Sequence, residues 1–94
     1  MTSVIGIGAG GHAKVVLEIL QTMGGFEIVG LLDANPELHS KRVLGVEVLG
    51  DDNLLSSLYE QGHRHVFIGV GALGDAAPRA SLYNQVNEIG YEVV

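Results

Sequence analysis

Apolar residues come in short blocks cut by glycine, and the blocks switch between two periods. Ser3 to Ile7 is an apolar run without clean alternation, as in a strand covered on both faces. Ala13 to Met23 follows a helical period. It sets Val16, Leu20 and Met23 on one face with Ala13 and Leu17 beside them, and Val15 and Ile19 widen that face. Lys14, Glu18, Gln21 and Thr22 take the other side, and Gly24-Gly25 ends the helix. Phe26 to Leu32 predicts a second strand, closed by Asp33 and the turn signal Asn35-Pro36. Leu38 to Arg42 reads as loop, and Val43 to Leu49 as an irregular extended segment suited to a sheet edge. Gly50-Asp51-Asp52 opens a second helix with Asp51 or Asp52 as N-cap. Leu54, Leu55 and Leu58 form its inner face and Gly62 closes it. His65 to Val70 is a further strand, leading into the loop Gly71 to Gly74. A third helix runs from about Asp75 to Ile89, with Leu82, Val86 and Ile89 inward. Pro78 fits it only in the first turn, Gly90 ends it, and Tyr91 to Val94 is a final strand.

Strands alternating with helices predict an α/β fold. Its sheet is parallel, of four to five strands, with helices on both faces and right-handed crossovers. In such folds a ligand sits beyond the carboxyl ends of the strands, where the strand order reverses. Three stretches converge there: Gly8 to His12, Asp33 with its neighbours, and Gly69 to Gly74.

Composition narrows the picture. A chain of 94 residues, 47% hydrophobic and only 17% charged, is one folded domain and not a disordered segment. Its net charge of -6 opposes non-specific nucleic-acid binding, which needs a basic surface. With no cysteine, disulfides, thiolate catalysis and cysteine zinc sites are excluded. The N-terminus lacks the basic start of a signal peptide, and no apolar run approaches the roughly 18 residues of a membrane span. These features predict a cytoplasmic protein. The chain stops directly after a strand, which suggests a fragment of a longer protein.

The candidate chemistry centres on the turn after the first strand. Gly6, Gly8 and Gly11 fit G-x-G-x-x-G between a strand and a helix, the context the motif requires. Such a turn brings bare backbone and unpaired N–H groups of the helix start to one point, a ready site for phosphate. Asp33 stands where a dinucleotide fold keeps its ribose-binding acid; the plainer alternative is a loop cap. His12, in the first helical turn, can donate to phosphate or a sugar hydroxyl, or simply face solvent. Lys14 fits a solvent-facing role better, though it could steer an anion. Arg79 can touch a phosphate or pin the loop at Gly71. His63 and His65 flank Arg64, but no third metal ligand is implied, and His39 reads as a surface residue. Asp51-Asp52 is most simply a helix cap, because adjacent residues do not face each other across a cleft. No nucleophile–base pair is suggested.

Gly8-Ala9-Gly10-Gly11-His12-Ala13-Lys14-Val15-Val16, Leu31-Leu32-Asp33, Val46-Glu47-Val48-Leu49-Gly50-Asp51-Asp52 and Phe67-Ile68-Gly69-Val70-Gly71 with Arg79 together resemble a known family. It is the N-terminal domain of PglD-type sugar O/N-acyltransferases, a group with sialic-acid O-acetyltransferase relatives and bacterial amino-sugar nucleotide N-acetyltransferases. The resemblance spans essentially the whole chain. It implies a Rossmann-like domain holding a nucleotide-sugar acceptor such as a UDP-amino-sugar. A separate left-handed β-helix would bind acetyl-CoA, form a trimer and supply the catalytic histidine. This chain would then be one acceptor-binding domain, 1–94, with no catalytic residue, metal or cofactor of its own, and without its trimer-forming partner it could be a monomer. On the resemblance, Gly10, Gly11 and His12 meet phosphates or sugar, Asp33 meets the nucleoside, and Gly71 with its loop, Ala72 included, lines the sugar; Gly8 and Arg79 complete the candidate substrate-binding set. Where the family often has a second polar residue after the aspartate, this chain has Ala34. Two other classes stay open: an NAD-type dinucleotide-binding or sensor domain using Gly6, Gly8, Gly11 and Asp33, and an assembly domain marked by an exposed apolar patch.

Overall fold

The computed structural model describes residues 2–69 and 77–94, with side chains from residue 80 onward in the second stretch. Its elements in chain order are β1 (Thr2–Ile7), α1 (Gly11–Met23), β2 (Phe26–Leu32), β3 (Arg42–Val43), β4 (Val46–Gly50), α2 (Leu55–Glu60), β5 (His65–Ile68), α3 (Ala77–Ile89) and β6 (Glu92–Val93). They form a six-stranded sheet in the order β3-β4-β2-β1-β5-β6. All pairings are parallel except β3 with β4. The chain steps outward from β1 through β2 to β4, then returns to place β5 on the other flank of β1. The order therefore reverses at β1, as an α/β fold with a strand-end ligand site requires.

Alternation along the central strands splits the core in two. Val4, Leu31 and Phe67 pack under α1 with Ala13, Leu17 and Leu20. Ile5, Ile7, Leu32 and Val66 pack on the opposite face with Leu55 and Leu58 of α2 and Val86 of α3. Helices thus cover both faces, as the pattern predicts. Close packing on the α1 side depends on Gly69: a Cβ there would stand 2.6 Å from the Cα of Ala13. That contact fixes how α1 is turned.

Three expectations need correction. First, Val15, Ile19 and Met23 are exposed, at 56%, 53% and 67%. Ala13 is the point of closest approach, and Val15 lies about 200° round the helix from it. The true inner face is Ala13, Val16, Leu17 and Leu20. Second, the sheet has six strands and an antiparallel edge. The segment read as irregular is a tight hairpin whose turn residues, Leu44 (φ 50) and Gly45 (φ 83), are both left-handed. This is the turn geometry that matches strand twist, but leucine gives no sign of it. Third, Asp51 caps a 3₁₀ turn over Asp52–Leu54, not α2 itself; its carboxylate accepts from the backbone N–H of Asn53. Pro78 falls second in α3, within the first turn as expected.

Candidate functional site

The carboxyl ends of β1, β2 and β4 are tied together by backbone. The N–H of Gly8 donates to the carbonyl of Leu32 at 2.6 Å, and that of Asp33 to the carbonyl of Gly50 at 2.8 Å. Gly8 has φ 109, so the turn out of β1 needs glycine there. Gly6 serves a different purpose: a Cβ would collide with Leu31 and Phe67, so it allows the strand to lie beneath that ring.

Gly10 and Gly11 stand apart from both. A Cβ on either meets nothing within 4 Å, and neither has a positive φ. Nothing within the described chain demands glycine at these positions. They leave bare backbone facing open space at the start of α1, where helix N–H groups and the positive dipole end gather. His12 follows them and is exposed. Lys14 is exposed too, and its backbone N–H donates to the carbonyl of Gly10 at 3.1 Å.

Asp33 is a loop organiser. Its Oδ2 accepts from the N–H of Ala9, in the glycine turn, and its Oδ1 from the N–H of Asn35, each at 2.9 Å. His39 reinforces the loop through a 2.8 Å contact between its Nε2 and the carbonyl of Asp33. The ring nitrogen must donate, since a carbonyl only accepts. The histidine read as a surface residue therefore braces the site. Each Asp33 oxygen has a second lone pair, so a hydroxyl could still bond there.

A cavity of about 380 Å³ opens beside this loop. Ile7, Gly8 and Leu32 line it at the strand ends, with Asp33, Ala34 and Asp52 from the loops after β2 and β4. Ser81, Leu82 and Gln85 line it from α3. The size is within the usual range for small-molecule sites. Gly8 and Asp33 are thus brought to one cavity; Gly10, in the turn out of β1, and Gly11 and His12, the first residues of α1, do not line it. Gly71 and Ala72 lie outside the described residues. Arg79 stands in the first turn of α3, and its side chain lies outside them as well.

Sequence reasoning missed Asp52, Ser81 and Gln85 as lining residues. Asp51 and Asp52 read alike as caps, and only the fold separates the one that caps from the one at the cavity. Ser81 and Gln85 are four apart and so share a helix flank, but which flank meets a cavity is a tertiary matter. His63 and His65 do not converge: Nδ1 of His63 lies 3.2 Å from Oγ of Ser3, and Nε2 of His65 lies 3.2 Å from Oε2 of Glu92. No described helix is long and apolar enough to cross a membrane.

The fold and sequence have known relatives. A mutant of perosamine N-acetyltransferase from Caulobacter crescentus, solved with CoA and GDP-perosamine, is similar over all of this chain, with 38% identity and a TM-score of 0.85. The chain spans 41% of that protein's length. UDP-D-quinovosamine 4-dehydrogenase from Vibrio fischeri shares the fold at a TM-score of 0.83 and 15% identity, over 98% of this chain and 75% of its own. RSP, a Rex-family repressor solved with NADH, does so at 0.76 and 18%, over 98% of this chain and 44% of its own. These last two likenesses are of fold alone. None of the curated proteins matches the sequence. The PglD N-terminal domain matches residues 3–86, and the chain belongs to that family.

Proposed function

We propose that this domain binds a nucleotide amino sugar and presents it as the acceptor in acetyl transfer. The observation that carries the reading is the open backbone at Gly10 and Gly11, next along the turn from a cavity edged by Gly8 and Asp33. Diphosphate suits the helix start, through backbone N–H groups that need no basic side chain. The nucleoside suits the cavity. This explains how a chain of net charge -6 can hold a dianionic ligand. Membership of the PglD family supports the assignment, as does a 38% identical relative solved with a nucleotide amino sugar.

In this reading the domain supplies proximity and orientation. Residues 1–94 form one acceptor domain and contribute no catalytic residue. Acetyl-CoA and the catalytic base belong to a separate domain, which also forms the trimer. Gly8, Gly10, Gly11 and His12 hold the phosphates, Asp33 meets the ribose, and Gly71, Ala72 and Arg79 serve the sugar end.

The test is thermal denaturation of the chain with UDP- and GDP-amino sugars, CMP-sugars, NAD and acetyl-CoA. A ligand bound only by the folded state at 100 times its Kd adds about 2.7 kcal/mol of stability. A rise in Tm with a sugar nucleotide, and none with acetyl-CoA, is expected. A rise with NAD alone would replace this reading with a dinucleotide sensor. No rise with any sugar nucleotide at millimolar concentration would sink it.

A further inference from the structure

The geometry points to guanine as the base this cavity accepts, with Asp52 as the residue that selects it. The inference rests on the acceptor reading above and adds the identity of the nucleotide. Asp33 has both oxygens engaged by backbone N–H groups. Asp51 is likewise occupied, by the backbone and side chain of Asn53. Asp52 is the other carboxylate at the cavity and is half-buried; its backbone carbonyl accepts from the N–H of Leu55, but its carboxylate makes no hydrogen bond with any described residue. It shares the cavity with the aliphatic side chains of Ala34 and Leu82, which offer apolar surface to a planar ring.

An ionised carboxylate is an acceptor with two oxygens side by side. Guanine alone among the common bases carries two adjacent donors on one edge, N1–H and the N2 amino group. A carboxylate meets both at once, in the paired, charge-assisted geometry that gives the strongest hydrogen bonds. Uracil has a single N3–H between two carbonyl oxygens, and those oxygens would face the carboxylate. Adenine and cytosine each set an acceptor nitrogen beside their amino group. Gln85 adds an amide donor suited to O6 or N7, the acceptors on guanine's other edge. The preference is therefore purine over pyrimidine, and guanine over adenine, from one side chain.

Titration calorimetry of the chain with GDP, IDP, UDP and XDP tests this. Inosine lacks the N2 amino group, and xanthine has a carbonyl in its place. A good bidentate pair discriminates by roughly tenfold or more. The wild-type chain should therefore bind GDP at least about tenfold tighter than IDP or UDP. Asp52→Asn offers one acceptor and one donor, so it should lose about tenfold for GDP, come to favour XDP over GDP, and bind UDP no more weakly than before, since uracil's N3–H and adjacent carbonyl also fit an amide. A side chain that merely shapes the loop would not produce that exchange of preference. GDP, IDP and UDP binding equally to the wild type would overturn the inference, and so would an unchanged GDP-to-XDP ratio in a folded variant. The wild-type comparison of GDP with IDP stands even if the variant does not fold. If neither GDP nor UDP bound, the acceptor reading itself would fall, and this one with it.

Discussion

The two ends of the sheet treat polar groups in opposite ways. At the amino end the chain consumes its own. His63 meets Ser3, and His65 meets Glu92. Arg64 donates to the carbonyls of Tyr59 and His63, with its guanidinium carbon 3.8 Å from the centre of the Tyr59 ring. Tyr59 in turn meets Tyr91 edge-on at 5.2 Å. At the carboxyl end Asp33 and His39 build the loop, while among the described residues nothing engages the space over Gly10 and Gly11 or the side chains of His12 and Asp52. Both ends carry histidine and acid, so residue type alone does not mark a site. What marks it is polar capacity left unspent beside a cavity.

The largest effect belongs to the joint between the open end and the core. In Gly69→Ala the new methyl meets the backbone of Ala13, which cannot rotate away as a side chain tip could. Relief requires moving α1 off the sheet. A loss of about 2–3 kcal/mol is expected, the upper range for overpacking. Denaturant unfolding measures it, and a loss under about 0.5 kcal/mol would show that α1 is not seated by this contact.

Asp33→Ala comes next. It removes the acceptor for two backbone N–H groups at once, one on the glycine turn and one in its own loop. Hydrogen bonds to charged groups contribute about 1.5–3 kcal/mol each, and partial exposure trims that, so a loss of about 2 kcal/mol is expected. Asp33→Asn should fall between, since its amide keeps one oxygen acceptor. If Asp33 served only the ligand, unfolding without ligand would be unchanged in both variants.

These two sites also show what could be read from the chain alone. The glycine turn, Asp33 and the β-α order were legible because each is a local signal: a tight turn needs glycine, and a strand covered on both faces needs a continuous apolar run. The inner face of α1 was only half legible. Val15, Ile19 and Met23 continue an apolar stripe as regular as the buried one, and the rotation is settled by Gly69, 56 residues beyond Ala13. The β3–β4 hairpin was missed because Leu44 holds a left-handed conformation that leucine rarely adopts. Asp52, Ser81 and Gln85 come from two distant segments, and only the return of the chain across β1 brings them to one cavity.

At the closed end, Tyr91→Phe should cost about 1 kcal/mol. The Tyr91 hydroxyl donates to the carbonyl of Leu55 at 2.7 Å, and the substitution removes that buried bond. Burial pushes the hydroxyl above the ordinary tyrosine value of 10.0, opposed by Arg64 and assisted by Tyr59. The folded state thus holds this proton more tightly than the unfolded chain. The stability it contributes is fully present below pH 10 and is lost as pH rises through the folded value. Stability measured across that alkaline range should fall less steeply in the Phe variant, and parallel curves would show that Tyr91 does not titrate with unfolding.

Gly11→Ala should have the smallest effect on stability and so sharpens the contrast best. Gly11 is the first residue of α1, has open space where a Cβ would stand, and does not need positive φ. Alanine favours helix over glycine by up to about 1 kcal/mol in a helix interior, and by less at the first position, so Tm should hold or rise slightly. If bare backbone here exists to let a diphosphate approach, the added methyl should weaken nucleotide binding by about tenfold while the fold gains, a cost of about 1.4 kcal/mol in binding alone. Stability and binding would then move in opposite directions at one atom, as expected where a chain keeps glycine for its ligand and not for itself. Unchanged binding with unchanged stability would mean the open space over α1 is empty in function as well.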